Sequence, residues 1–316
     1  MLGVVIPAYR RTDCLREALN SLVAQTYTRF FVIVVDDHSE IPLWSVVEPF
    51  EEKLHIRYVY ADRNGGPGAA RQIGLDLCKE AGLSEVMFLD SDDMLMPHAI
   101  ARLTVEMRRN MCDVVSSGIW WEDGKGLGAP ISADNKTWLH GKIFRMQYLI
   151  DNNINFADIR TNEDLAFCLS VIESTEKKAT IDENLYLFRY EKGSITRGDK
   201  PEDLYSEHYI EAIFYAVKCL EQNGHKITDQ LIINILSCYN RYQIGMVQGV
   251  LTKDTIDKLK YLINLEEVKR ILDTPKEFAK VERIFRQYAV IDNKVIYFKQ
   301  TLKEWLEEFI DEDSCN

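Results

Sequence analysis

Val86-Met87-Phe88-Leu89-Asp90-Ser91-Asp92-Asp93 is a short apolar run that breaks off at once into acid. Such a run reads as a strand buried on both faces, as in a parallel sheet covered by helices. The same texture recurs at residues 2–6, 30–35, 56–60 and 114–119. Helical periodicity fills the gaps between these runs. Leu15, Ala18, Leu19 and Leu22 recur at i, i+3, i+4 and i+7, with Thr12 or Asp13 placed to cap that helix. A second helix is expected from about Gly68 to Glu80, ended by Gly82. A third should begin near Pro97, with Ile100, Leu103 and Met107 on one face. Strand–helix alternation predicts an α/β domain with right-handed crossovers.

In an open α/β sheet, ligands bind at the carboxyl ends of the strands. The first run ends in Pro7-Ala8-Tyr9, the second in Asp36-Asp37 and the fourth in Asp90-Ser91-Asp92-Asp93. Carboxylates two residues apart just past a strand can share one divalent cation with substrate phosphates, and hard oxygen ligands suit Mg²⁺ or Mn²⁺. Such an ion offsets charge on a departing diphosphate. The plainer reading is a solvated acidic turn capping the next helix. Asp36 and Asp37 suit a base N–H or a ribose hydroxyl, or else close an Asx turn. Tyr9 suits stacking on a base, or the core.

Asn64-Gly65-Gly66-Pro67-Gly68-Ala69-Ala70-Arg71 is a glycine-rich turn opening a helix. Free backbone N–H groups there favour anions, and Arg71, one turn in, is within reach of a phosphate or the ribose. Thr161-Asn162-Glu163-Asp164 precedes an amphipathic helix over residues 163–173, with Leu165, Leu169 and Ile172 inward. Acids at a helix start are stabilised by its dipole. They also suit a general base that takes an acceptor hydroxyl's proton.

Residues 124–128 read as a surface loop, 121–160 as irregular and 185–190 as a strand. From about Pro201 helical periodicity dominates. The expected division is 1–200, an α/β domain that carries the acidic rim, and 201–316, a helical region. The tail Asp311-Glu312-Asp313 is expected to fray. The 316 residues are 46% hydrophobic with a net charge of −12, an acidic balance that argues against non-specific nucleic-acid binding. Seven scattered cysteines without a CxxC pair fit reduced thiols acting as small buried hydrophobes. The N-terminus lacks a secretory pattern, and no apolar run reaches the roughly 18 residues of a membrane helix. A soluble, cytoplasmic protein is expected, with peripheral contact at the inner membrane face left open. No GxGxxG follows the first run, and there is no GxxxxGK[ST], HExxH or Cys/His cluster. Dinucleotide oxidoreductases, P-loop NTPases and zinc sites are thereby set aside.

Taken in order, Val4-Val5-Ile6-Pro7-Ala8-Tyr9, Val34-Val35-Asp36-Asp37-His38-Ser39, the Asn64–Arg71 turn, Phe88-Leu89-Asp90-Ser91-Asp92-Asp93, Trp138-Leu139-His140-Gly141-Lys142-Ile143-Phe144-Arg145 and Asn162-Glu163-Asp164-Leu165 resemble glycosyltransferase family 2. These are inverting, nucleotide-sugar-dependent enzymes of the GT-A fold, and the resemblance covers residues 2–196. It implies that Pro7, Ala8 and Tyr9 line a base pocket and that Asp37 or Asp36 contacts uridine or another base. It places Arg71, with Asn64, Gly68 and Ser91, near the nucleotide sugar. Asp90 and Asp92 match the DxD pair, Asp92 preferred as the direct metal ligand. Asp164 of the Glu163–Asp164 pair matches the catalytic base, and the stretch around Lys142 borders the acceptor side.

Arg189-Tyr190 and Ser194-Ile195-Thr196 resemble the family's post-catalytic strand and flexible loop, where Arg197 could assist. Gln147 is not followed by the Arg-Trp of processive synthases. The implied reaction moves a sugar from a nucleoside-diphosphate sugar, UDP being the family's commonest nucleotide, to an acceptor hydroxyl. That hydroxyl belongs to a glycan, a lipid-linked sugar, a protein or a modified base. Two rivals stand beside it. A sugar-phosphate nucleotidyltransferase would need a glycine-rich loop where Ala8-Tyr9-Arg10-Arg11-Thr12-Asp13 stands, and a non-catalytic scaffold would not need its acids intact. Residues 201–316 are candidates for acceptor binding, for packing or for a homodimer contact.

Overall fold

The computed structural model describes residues 1–191, 205–283, 285, 288–291, 294–298 and 300–310. Ser194-Ile195-Thr196, Arg197 and the acidic tail lie outside the described residues. The chain divides into two compact units, Met1–Asp199 and Lys200–Asn316.

The first unit is an eight-stranded sheet between helices. In chain order it comprises β1 (Leu2–Ala8), α1 (Thr12–Val23), β2 (Phe30–Asp36), the short α2 (Trp44–Val47), β3 (Ile56–Tyr60), α3 (Gly66–Glu80), β4 (Glu85–Phe88) and β5 (Met94–Leu95). There follow α4 (Ala99–Arg109), β6 (Val114–Trp121), β7 (Lys142–Arg145), α5 (Met146–Asp151), α6 (Glu163–Ile172) and β8 (Lys178–Phe188). The strand order is β3-β2-β1-β4-β7-β6-β8-β5. β1, β2, β3 and β4 run parallel, as do β6 and β8, whereas β7 is antiparallel to both β4 and β6, and β5 to β8. The sheet is therefore mixed.

The α1 stripe Leu15, Ala18, Leu19 and Leu22 is buried as its spacing predicts. Each leucine so placed contributes about 1.5–3 kcal/mol of hydrophobic stabilisation. α3 packs hard on β1: a Cβ on Gly74 would stand 2.2 Å from Val5 Cγ1. Gly82, at φ +61, turns the chain out of that helix, its N–H and that of Leu83 closing on Lys79 and Cys78 carbonyls.

Several local expectations are corrected. Neither Thr12 nor Asp13 caps α1: Arg11 occupies that position without a side-chain cap bond, and Asp13 pairs with Arg16 instead. Pro97 precedes the cap residue of α4, His98, and its carbonyl accepts from Thr26 N–H. β3 is a sheet edge and half exposed, not buried on both faces. β8 starts seven residues earlier than the apolar texture suggests, because its first half is the polar stretch Lys178 to Glu183. Residues 121–160 hold β7 and α5. β7 is only Lys-Ile-Phe-Arg, too short to show a period, and becomes a strand because β4 and β6 offer it an edge on each side. α6 is not amphipathic: every residue of it except Asp164 is buried.

The second unit is mostly helical: α7 (Tyr205–Gln222), α8 (Asp229–Gln248), α9 (Lys253–Ile263), α10 (Glu266–Leu272), α11 (Pro275–Glu282) and α12 (Leu302–Phe309), with an antiparallel hairpin of β9 (Tyr288–Ile291) and β10 (Lys294–Tyr297). Trp305 and Tyr239 are fully buried and pack edge-on or tilted with Tyr242 and Phe309 as the centre of this unit. The six described cysteines are free, five of them buried. Among the described residues no helix is long and apolar enough to cross a membrane.

Candidate active site

Because β1, β2 and β4 are parallel, their carboxyl ends open on one rim. The chain winds outward from β1 to β3 and then returns to place β4 on the other side of β1. That reversal is where an α/β sheet forms a crevice. Tyr9 and Asp90 flank it, with Leu89 N–H bonded to Val5 O.

At the end of β2, Asp36 is fully buried. Its Oδ1 accepts from Ser39 N–H at 2.9 Å, and its Oδ2 accepts from Leu43 N–H at 2.9 Å and Tyr58 Oη at 2.6 Å. Asp37 accepts from Gly65 and Gly66 N–H at 2.8 Å each. Burial pushes the Asp37 carboxyl up, against the pull of those two bonds. Asn64 Nδ2 donates to Asp37 O. The glycine-rich turn is thus tied to the end of β2. Gly68 serves a close approach of another kind, since a Cβ there would stand 2.8 Å from Glu163 Cγ. Pro7 and Ala8 are buried within β1, while Tyr9 is half-buried beneath the Arg10 guanidinium at 4.8 Å.

At the end of β4 most of the partners are side chains. Buried Arg71 donates from NH1 to Glu163 Oε1 and from NH2 to Asp90 Oδ1, both at 2.6 Å. Burial works against the Arg71 charge, yet the two carboxylates outweigh it and hold the guanidinium well above its ordinary value. Burial also works against the Asp90 carboxylate. Arg71 and then His140, whose Nε2 lies 3.2 Å from Asp90 Oδ2, outweigh it and hold Asp90 well below the usual range. Asp92 pairs with Arg11. Buried Ser91 lies at the bend between them.

Asp93 is fully buried, accepts from Tyr186 Oη at 2.6 Å and Arg189 N–H at 2.9 Å, and is pushed up to about 8 by burial. His140 is raised too: burial lowers it, but the bond to Asp90 and the neighbouring acids outweigh that.

Asp164, the one residue of α6 left partly exposed, acts electrostatically on Arg71, His140 and Lys142. It therefore belongs to the cluster built on Asp90. Asn162, in left-handed backbone at φ 63, turns the chain into α6. Phe88, Phe144, Phe156 and Phe167 pack ring to ring behind this cluster and hold β4, β7 and α6 together. Lys142, 1% exposed, donates to Trp138 O at 2.5 Å, and burial lowers its pKa.

Asp90, Asp93 and His140 each offer a ligand atom within 4.8 Å of the others. Carboxylate oxygens with one imidazole nitrogen fit a divalent cation such as Mn²⁺ in donor chemistry. His140, Asp93, Tyr186 and Arg11 were not picked out from sequence. Asp93 was visible as the last acid of its run, and His140 stood inside the Trp138–Arg145 stretch of the resemblance, but neither was given a role. A cavity of about 510 Å³ lies at the opposite end of the strands, beside Glu85, Arg108 and Arg145, and no expected site residue lines it.

The sheet order and the acids gathered at its switch point are those of an α/β nucleotide-binding domain. The Glycosyl transferase family 2 model matches residues 3–159, and the chain belongs to that family. Poly(ribitol-phosphate) β-N-acetylglucosaminyltransferase TarS of Staphylococcus aureus is 25% identical over 281 residues, covering 83% of this chain and 48% of TarS. The uncharacterized glycosyltransferase EpsJ of Bacillus subtilis is 23% identical over 321 residues, covering 90% and 89%. The chain spans about half the length of the TarS relatives it matches. A crystal structure of an S. aureus TarS fragment in complex with UDP-GlcNAc superposes with a TM-score of 0.68 at 20% identity, covering 95% of this chain and 99% of that one. The mannosyltransferase PcManGT of Pyrobaculum calidifontis, in complex with GDP-Man and Mn²⁺, gives 0.53 at 14% identity, covering 89% and 85%. The fold is GT-A.

Proposed function

We propose that this chain transfers a sugar from a nucleoside-diphosphate sugar to an acceptor hydroxyl with inversion, and that the donor site lies wholly in the first unit. The observation that carries the reading is the meeting of Asp90 and Glu163, 73 positions apart, on buried Arg71, which brings Asp164, the next residue of α6, beside the acid cluster. The TarS complex with UDP-GlcNAc favours UDP as the nucleotide.

Tyr9 and Asp37 take the base end, Asp36 being committed to its own loop. Asp92 and Asp90 would hold a divalent cation, Mg²⁺ or Mn²⁺, with Asp93 and His140, whose ligand atoms lie within 4.8 Å of Asp90's, beside them. When bound, that ion supplies positive charge against the departing diphosphate. Asp164, partly exposed beside this cluster, takes the acceptor proton as its oxygen attacks the anomeric carbon from the face opposite the leaving group. Arg71 keeps Glu163, next to Asp164, in register with Asp90.

Incubation with UDP-sugars and Mn²⁺ or Mg²⁺ tests the reading. Release of free UDP, faster with acceptor present, is expected. Consumption of added pyrophosphate with release of UTP and sugar 1-phosphate would point to nucleotidyl transfer, and no turnover with any donor would count against transfer altogether.

A further inference from the structure

β7 is antiparallel to both β4 and β6, so β6 points the same way as β4, and β8 runs with it. The carboxyl ends of β6 and β8 therefore open on the same rim as Asp90. Trp121 at the end of β6 is paired in register with Phe188 of β8, and pleating puts paired residues on one face. Phe188 lies 5.2 Å from the Trp138 ring and 5.1 Å from the His140 ring, and His140 bonds Asp90. Rings thus lead outward from the acid cluster through His140 to Phe188, and strand register sets Trp121 beside Phe188. Beyond it, Trp121 is 38% exposed and Tyr190 40%.

The loop between them is ordered by backbone. Glu122 N–H bonds Phe188 O, Gly128 N–H bonds Trp121 O at 2.7 Å, and Tyr190 N–H bonds Glu122 Oε2. Gly124, at φ +83, lies so close under the Tyr190 ring that a Cβ would stand 3.1 Å from it. Two large rings are held in place yet left partly wet, at the edge where substrate would enter. The charge around them is not that of a polyanion site. Among the described residues this edge carries Glu122, Asp123, Asp134 and Glu191 against Lys125, Lys136 and Arg189, and two of those three cations are already paired, Lys136 with Glu173 and Arg189 with Glu17.

We propose that the Trp121–Tyr190 edge is the acceptor subsite and that it takes an uncharged sugar ring. This rests on the transferase reading above and names its acceptor class. A pyranose has an apolar C–H face that stacks on an aromatic ring, and a rim of hydroxyls that the surrounding carboxylates accept from. A polyol-phosphate chain would instead meet net negative charge.

Saturation-transfer NMR and a UDP-release assay, with methyl pyranosides and neutral oligosaccharides as probes, test it. The expected result is binding of neutral sugars and a KM for them raised roughly tenfold or more in Trp121→Ala, the scale of one lost stacking contact. Tyr190→Ala provides the second variant should Trp121→Ala fail to fold. UDP-induced thermal stabilisation reports the donor site separately. Unchanged acceptor KM in both variants would overturn the subsite while UDP binding stands. So would a preference for a polyol-phosphate oligomer that falls steeply with added salt. A wild-type protein that binds no UDP would sink the transferase reading and this one with it.

Discussion

At the end of β2, Asp36 and Asp37 accept from backbone N–H groups of Ser39, Leu43, Gly65 and Gly66, with one tyrosine hydroxyl besides. At the end of β4, Asp90, Asp92 and Asp93 are met by Arg71, His140, Arg11 and Tyr186. Both begin as acids terminating an apolar strand, but their partners set them different tasks. Backbone donors close loops and fix where the glycine-rich turn enters α3. Side-chain cations hold several negative charges close together at a crevice, where charge is expensive unless it is paired. The first pair shapes the rim, and the second gives the rim its field.

Arg71 is where this contrast should be sharpest. Arg71→Met leaves Glu163 and Asp90 facing each other in a buried site. A loss of about 3–5 kcal/mol is expected on urea unfolding, the range for removing one partner of a buried ion pair. Arg71→Lys should restore part of it, and a loss under about 1 kcal/mol would show that the clamp carries no load. Next come Asp92→Ala and Asp164→Asn. Each should lower turnover at least roughly a hundredfold in the UDP-release assay, the scale for losing a charge stabiliser or a positioned base. Near-normal turnover in either would remove that residue from the chemistry.

Asp36→Asn should do the reverse. It should weaken the fold by about 1–3 kcal/mol through one mismatched buried partner while turnover in the folded protein stays near wild type. A collapse of turnover at unchanged stability would erase the distinction between the two strand ends.

The last expected effect is one of pH. The Asp93 carboxyl ordinarily titrates at 3.8 and is pushed up to about 8 in the fold. The folded state thus binds this proton more tightly than the unfolded chain. The stability it contributes is fully present below the lower value and is lost as pH rises through the upper one. Melting temperatures of the metal-free protein should decline over that window, and Asp93→Asn should flatten the decline.

Much of the first unit could be read ahead of the structure because its signals are local. The α1 stripe, the apolar runs of β1, β2 and β4, and the glycine that ends α3 are properties of neighbouring residues. Elements stabilised from outside were missed. β7 exists because two strand edges await it, and the polar half of β8 pairs along β6 although its own residues favour water. α6 looked amphipathic and is enclosed all round, so that Asp164 alone reaches the surface of that helix. The acids of the site were visible for the same local reason, as polar residues at the ends of apolar strands. Their partners were not. Nothing near Asp90 in sequence announces His140, and nothing near Glu163 announces that Gly68 must yield room for it.

Period and composition along the chain were enough to specify an α/β sheet with acids along one rim, since strand burial and turn chemistry act over a few residues at a time. Which of those acids are neutralised by backbone and which by arginine or histidine was decided by the order β3-β2-β1-β4-β7. That order brings α3, α6 and the segment before β7 against the end of β4. Charge–charge energies depend on distances of a few ångströms in a poorly screened interior, and only the folded arrangement sets those distances.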